Sequence, residues 1–205
     1  MEASSRGRII LINGTSSSGK TTLIKALQRT LPEIWLEMGI DRFAYALPGR
    51  VLGEPVWPQL FRYVPTGFND GFTIDTTVLG QRFIAGMHAT VAGLAENGLN
   101  VLVDHVLLER AWLEECARLW SGSLALFVGV RCPLDVVVRR ELERKDRTFG
   151  QAEAQSHVIH QWADYDVEVD TSELTPEDAT ARIIAALDVR RRGRTGSLTR
   201  SRESS

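Results

Sequence analysis

Four consecutive apolar residues, Ile9-Ile10-Leu11-Ile12, open the patterned part of the chain, and a run this short and this apolar predicts a strand buried on both faces. Leu23, Ile24, Leu27 and Leu31 then recur at helical spacing, so the first strand passes into an amphipathic helix. A second short strand is expected over Ile34–Ile40, and a short helix over Arg42–Leu47. Between Pro48 and Thr77 the periodicity fails. Prolines 48, 55, 58 and 65 alternate there with Trp57, Phe61, Tyr63, Phe68 and Phe72, which predicts a long aromatic insertion.

Order resumes with a helix over Val78–Glu96, closed by Asn97-Gly98, and a buried strand at Val101-Leu102-Val103 that ends at Asp104. A helix over Glu109–Leu119, a strand over Leu124–Val130 and a helix from Pro133 follow, the last broken by Gly150. The pattern closes with a helix over Gln151–Trp162, a strand at Val167-Glu168-Val169, and a helix capped at Thr175-Pro176 that ends near Leu187. Strands and helices therefore alternate throughout, which predicts a three-layer α/β fold with a central parallel sheet. Residues 1–7 are expected to be a flexible N-terminus, 8–187 the domain, and 188–205 a disordered basic tail.

The link between first strand and first helix carries the chemistry. RIILINGTSSSGKTT matches G-x-x-x-x-G-K-[ST] at Gly14, Gly19, Lys20 and Thr21, in the strand-before, helix-after setting that a phosphate-binding loop requires. Small residues from Thr15 through Ser16, Ser17 and Ser18 let successive backbone N–H groups approach phosphate oxygens, and the start of the helix adds its positive end. A nucleoside triphosphate is thus expected against Gly14, Thr15, Ser16, Ser17, Ser18, Gly19, Lys20, Thr21 and Thr22. The Lys20 ammonium would lie between the β- and γ-phosphates, and the Thr21 hydroxyl would ligate Mg²⁺.

Composition narrows the rest. The chain has 205 residues, 43% of them hydrophobic, and a formal charge of −2, which suits one domain and argues against a binder held by nucleic-acid phosphates. No apolar run is long enough to span a membrane. The polar Met1–Gly7 segment lacks the apolar core of a secretory signal, so a cytoplasmic enzyme is expected. Cys116 and Cys132 lie in apolar stretches and are expected to be buried thiols. The oligomeric state is left open.

Three further positions discriminate among triphosphate binders. Asp41, at the end of the second strand, is placed to accept a proton from an acceptor hydroxyl, and as a helix N-cap it could do both jobs. Asp104 ends an apolar strand as a magnesium carboxylate does, and the alternative role is to help position the acceptor. Arg139, Arg140, Arg144 and Arg147 make the 139–150 region resemble a lid, with Arg140, Arg144 and Arg147 the preferred catalytic cations. Glu141, Glu143 and Asp146 among them read as partners in surface i,i+4 pairs. His105 reads as a structural hydrogen-bonder, and His157 with His160 as too few ligands for zinc. No guanine-specific N-K-x-D is present.

IILINGTSSSGKTT, LPEIWLEMGIDRF, LVDHV, VGVRCPLDVVVRRELERKDRTFGQA and HVIHQWADYDVEVDTS together resemble the chloramphenicol phosphotransferase family of P-loop kinases, over about residues 8 to 187. The resemblance implies a kinase fold, MgATP as donor, and transfer of the γ-phosphoryl group to a primary hydroxyl of chloramphenicol, an antibiotic-resistance reaction. It places the catalytic aspartate at Asp41, the loop lysine at Lys20, and lid arginines at Arg140, Arg144 and Arg147. The Pro48–Thr77 segment and the extension past Val189 depart from the family core. A small hydroxylated, aromatic acceptor fits that insertion. The alternatives are a nucleoside, nucleotide or metabolite kinase, and a non-catalytic nucleotide-dependent switch.

Overall fold

A computed structural model describes residues 6–44, 46, 57–65, 72–143 and 150–202, giving backbone alone for Trp57 and for 193–202. Five strands, β1 (Arg8–Asn13), β2 (Trp35–Gly39), β5 (Asn100–His105), β6 (Leu124–Arg131) and β7 (Val167–Asp170), form one sheet in the order β2-β5-β1-β6-β7. Every pairing in it is parallel. β3 (Phe61–Pro65) and β4 (Phe72–Thr76) make a separate antiparallel pair.

The strand period of two divides the core between the faces of the sheet. Ile9, Leu11, Val101 and Val103 pack with Ile84, Met87 and Val91 of α4 (Val78–Glu96) and with Trp112 and Cys116 of α5 (Arg110–Leu119). Their neighbours Ile10, Ile12, Leu102 and Val128 pack with Leu23, Ile24 and Leu27 of α1 (Lys20–Thr30) and with Ala179, Ile183 and Leu187 of α8 (Pro176–Arg202). Helices on both faces complete the three expected layers.

The chain runs from β1 outward to β2 and later crosses from β5 to β6 on the other side of β1. β1 is therefore the point where the winding reverses, and the cleft above its C-terminal end is where such sheets bind ligands. β1, β2, β5 and β6 all deliver their C-terminal ends to this rim.

Several elements differ from the sequence expectation. Asp41 lies in the first turn of α2 (Ile40–Ala44), not before it as an N-cap. Part of the aromatic insertion is regular: α3 (Trp57–Leu60) leads into β3, and β4 returns to Thr77, whose side chain caps α4 by accepting the Gly80 N–H at 3.1 Å. The prolines hid the alternation of Phe61 and Tyr63 with Arg62 and Val64. The remaining insertion residues, including Arg50 and Phe68, lie outside the described residues. α6 spans Leu134–Glu143, and α7 is one and a half turns, Gln151–Ser156, giving way to turns well before Trp162. α8 continues to Arg202, so the stretch from 188 expected to be disordered is helical that far. Once a docked first half has nucleated a helix, each added residue costs little.

Candidate active site

The loop after β1 coils back on itself because Ser17 and Gly19 adopt left-handed φ values of 60° and 92°. Gly19 then leads into α1. Gly14 is required for space: a Cβ there would lie 2.8 Å from both Ser18 Oγ and the Val130 carbonyl oxygen. Thr15, Ser16, Ser17 and Ser18 are buried, and the hydroxyls of Ser17 and Ser18 have no hydrogen-bond partner among the described residues. Buried, unpartnered hydroxyls in a tight loop of small residues suit an anionic oxygen ligand. Lys20, itself buried, donates to the carbonyls of Gly14 and Thr15 at 2.9 and 2.8 Å and stands 3.7 Å from Asp104.

Thr21 and Asp104, the two expected metal ligands, come together: the Thr21 hydroxyl donates to Asp104 Oδ2 at 3.4 Å. A hydroxyl and a carboxylate are hard oxygen donors, which fit Mg²⁺. Gly39 makes this placement possible. A Cβ on Gly39 would come within 2.4 Å of the Asp104 carbonyl oxygen, so only glycine lets β2 approach β5 here.

A cavity of about 550 Å³ opens over the loop. Ser16, Ser17, Gly19, Lys20, Thr21 and Thr22 form its floor, and Asp41 and Asp104 stand on one side. Phe61, Tyr63 and Ile74 of the β3–β4 pair make an apolar wall beside Asp41, with Tyr63 opposite Ile74 in register. The outward alternates Arg62 and Val64 are exposed.

Arg140 lines the opposite side. Its guanidinium donates to the Thr171 carbonyl at 3.0 Å, to Thr171 Oγ1 at 3.2 Å and to Cys132 Sγ at 3.4 Å, while Thr171 Oγ1 donates to the Ser18 carbonyl at 2.7 Å. Arg140 is thus braced against the loop through Thr171. Arg144 and Arg147 lie outside the described residues. Cys116 is buried as expected and burial pushes its thiol up, but Cys132 is only half-buried, at the edge of this arginine contact.

Sequence reasoning missed two residues here. Glu141 is 2% exposed, not a surface partner: its two carboxylate oxygens accept the N–H groups of Gly150 and Ala152, each at 2.9 Å. It caps α7, whose entry residue Gly150 has φ 84°. Gln155 reaches the loop from α7, accepting the Ser16 N–H at 2.5 Å. A buried glutamate or glutamine within a charged, aperiodic stretch carries no sequence signal that separates it from a surface one.

His88, His105 and His160 each sit in a side-chain hydrogen bond. His105 and His88 meet at 2.8 Å through their Nε2 atoms, and His88 Nδ1 meets Glu115 at 2.6 Å. Burial holds both imidazoles below the usual histidine range. Cys116 is nearby, but the two rings bond each other rather than a common centre. His160 Nδ1 is 2.7 Å from the Tyr165 hydroxyl, Asn13 donates to that hydroxyl at 2.7 Å, and burial, then Arg131, lowers His160 to about 4.

Solved structures share this architecture. The APS kinase of Mycobacterium tuberculosis, determined with AMPPNP and APS, superposes with a TM-score of 0.63 at 16% identity, over 90% of this chain and 99% of that one. A gluconokinase from Sinorhizobium meliloti 1021 gives 0.59 at 16%, over 90% and 93%. The tunicamycin resistance protein of Deinococcus radiodurans gives 0.56 at 17%, over 88% and 95%. The fold is that of the P-loop kinases. Closer in sequence are proteins of two Mycobacterium tuberculosis strains, each named "Putative O-phosphotransferase", 36% identical over 180 residues that cover 86% of this chain and 80% of each relative. With a family model described as chloramphenicol phosphotransferase-like protein matching residues 7–188, the chain belongs to the chloramphenicol phosphotransferase-like family.

Proposed function

We propose that the protein transfers the γ-phosphoryl group of ATP to a hydroxyl of a small, uncharged, aromatic acceptor, working in the cytoplasm. The observation that carries this reading is one cavity that joins the phosphate loop and Lys20 to Asp41 and to the apolar wall of Phe61, Tyr63 and Ile74. Asp41 orients the acceptor hydroxyl and takes its proton as the oxygen attacks phosphorus. Lys20 and the loop N–H groups balance the phosphate charge, and Arg140, held by its hydrogen bonds to Thr171, contributes a fixed cation on the nucleotide side. Thr21 and Asp104 would hold Mg²⁺, which neutralises phosphate charge when bound. Arg144 and Arg147 complete the proposed catalytic set.

Family membership supports chloramphenicol as the first acceptor to test, and antibiotic inactivation as a role. A kinase for nucleotides or phosphorylated metabolites would need cations at the acceptor wall; among the described residues of the β3–β4 pair the arginine is Arg62, on the exposed face. Incubation with MgATP and chloramphenicol, then with a panel of hydroxylated aromatics and nucleosides, tests the reading by mass spectrometry. A gain of one phosphoryl group on a neutral aromatic alcohol is the expected result. Phosphorylation confined to anionic acceptors would replace it with the metabolite-kinase reading, and nucleotide binding without any transfer would favour a switch.

A further inference from the structure

Gln155 is 3% exposed and lines the cavity. A backbone N–H can only donate, so the atom facing Ser16 N at 2.5 Å must be the amide oxygen and the amide NH₂ must point the other way. That NH₂ meets no hydrogen-bond acceptor among the described residues. The side chain lines the cavity, so those donors are open to an acceptor that enters it.

The location says which acceptor. Ser16 follows Gly14 and Thr15, whose carbonyls hold the Lys20 ammonium, so the Gln155 amide and the Lys20 cation address the same limb of the loop. Two neutral N–H donors and an ammonium that both address this limb of the loop complement anionic oxygen. α7 is fixed to α6 by the Glu141 carboxylate, so the amide arrives already oriented.

We propose that Gln155 is a catalytic residue that donates a hydrogen bond from Nε2 to an equatorial oxygen of the phosphoryl group in transit. The assignment rests on the phosphotransferase reading. In that step the acceptor hydroxyl oxygen forms a bond to the γ-phosphorus while the bond from phosphorus to the β,γ-bridging oxygen breaks. The bridging oxygen leaves with the electron pair on the nucleoside diphosphate, and the hydroxyl proton passes to Asp41. Gln155 exchanges no proton. The Ser16 N–H keeps its amide from rotating an oxygen toward the phosphate.

Calorimetric titration of the full chain with MgADP, and with MgADP plus beryllium fluoride as a stand-in for the terminal phosphoryl group, separates this role from a structural one and needs no acceptor. Wild type is expected to bind the fluoride complex more tightly than MgADP. Q155L should keep the MgADP affinity while its gain from fluoride falls by about 10- to 100-fold, the worth of a hydrogen bond to a charged group. Q155E, which retains an acceptor for Ser16 N–H, should lose at least as much and serves if Q155L does not fold. Retention of the full gain in either folded variant overturns the assignment. Equal weakening of both complexes also overturns it, leaving Gln155 as a loop tether. Wild type that binds neither complex removes the phosphotransferase reading itself, and this assignment with it.

Discussion

Truncating Glu141 to alanine is the sharpest stability test of the site's architecture. The carboxylate is 2% exposed and accepts two backbone N–H groups at 2.9 Å, so E141A leaves two donors without partners at the start of α7. Each orphaned donor costs about 1–3 kcal/mol, so the pair costs about 2–5 kcal/mol after allowance for water entering the gap. For a domain of this size, that corresponds to a drop in Tm of about 5–15 °C. Differential scanning calorimetry reads the shift, and amide hydrogen exchange at Gly150 and Ala152 locates it. E141Q keeps one acceptor but turns an NH₂ toward the second donor, so it should recover no more than half of the loss. A Tm within 1 °C of wild type for E141A, with exchange at both amides unchanged, would refute the account of Glu141 as the cap of α7.

Other expectations follow from the same geometry. Asp41→Asn should lower turnover by on the order of 10²- to 10⁴-fold with nucleotide affinity retained; unchanged turnover in a phosphate-transfer assay removes Asp41 from the proton-accepting role. Chelation by EDTA should abolish transfer, and Asp104→Asn should raise the Mg²⁺ concentration for half-maximal activity by about 10-fold or more; an unshifted Mg²⁺ titration would place the metal elsewhere. Gly39→Ala forces a Cβ against the Asp104 backbone, so activity should fall by at least about 10-fold even if the protein folds; full activity would mean that β2 and β5 part without moving Asp104. Stability should also decline on acidification. His88, His105 and His160 are held neutral by burial, so below the unfolded histidine value near 6.5 the unfolded chain binds more protons than the native one. Their contribution is complete above that value and is lost as pH falls toward 4, so the urea midpoint should be lower at pH 5.0 than at 7.5; an equal or higher midpoint contradicts the neutral assignment.

How much of this was legible depended on whether the signal is local. α4 matches its expected limits because Thr77, an apolar stripe and Asn97-Gly98 are local devices that need no partner to be recognised. The loop at Gly14–Thr21 is similar: its spacing encodes the tight backbone path seen at Ser17 and Gly19. Glu141 went the other way. With Lys145 four residues on, it has the pattern of an exposed ion pair, and only the return of the chain at Gly150 buries it. Tyr63 and Phe72 were visible as aromatics, but their 4.9 Å edge contact and their place in an antiparallel pair depend on a register that prolines obscure. Gln155, neutral and aperiodic, offered nothing to read.

By itself, then, the order of residues determined the β/α alternation, the phosphate loop and the carboxylates at the strand ends, because each follows from neighbours within a few positions along the backbone. Tertiary structure decided which of those groups share a cavity. Strand order brought Asp104 beside Thr21 across 83 positions of sequence, the β3–β4 pair set an apolar wall near Asp41, and a six-residue helix carried Gln155 to Ser16 across 139. Contacts that distant arise from the packing of whole elements on one core, which no local pattern encodes.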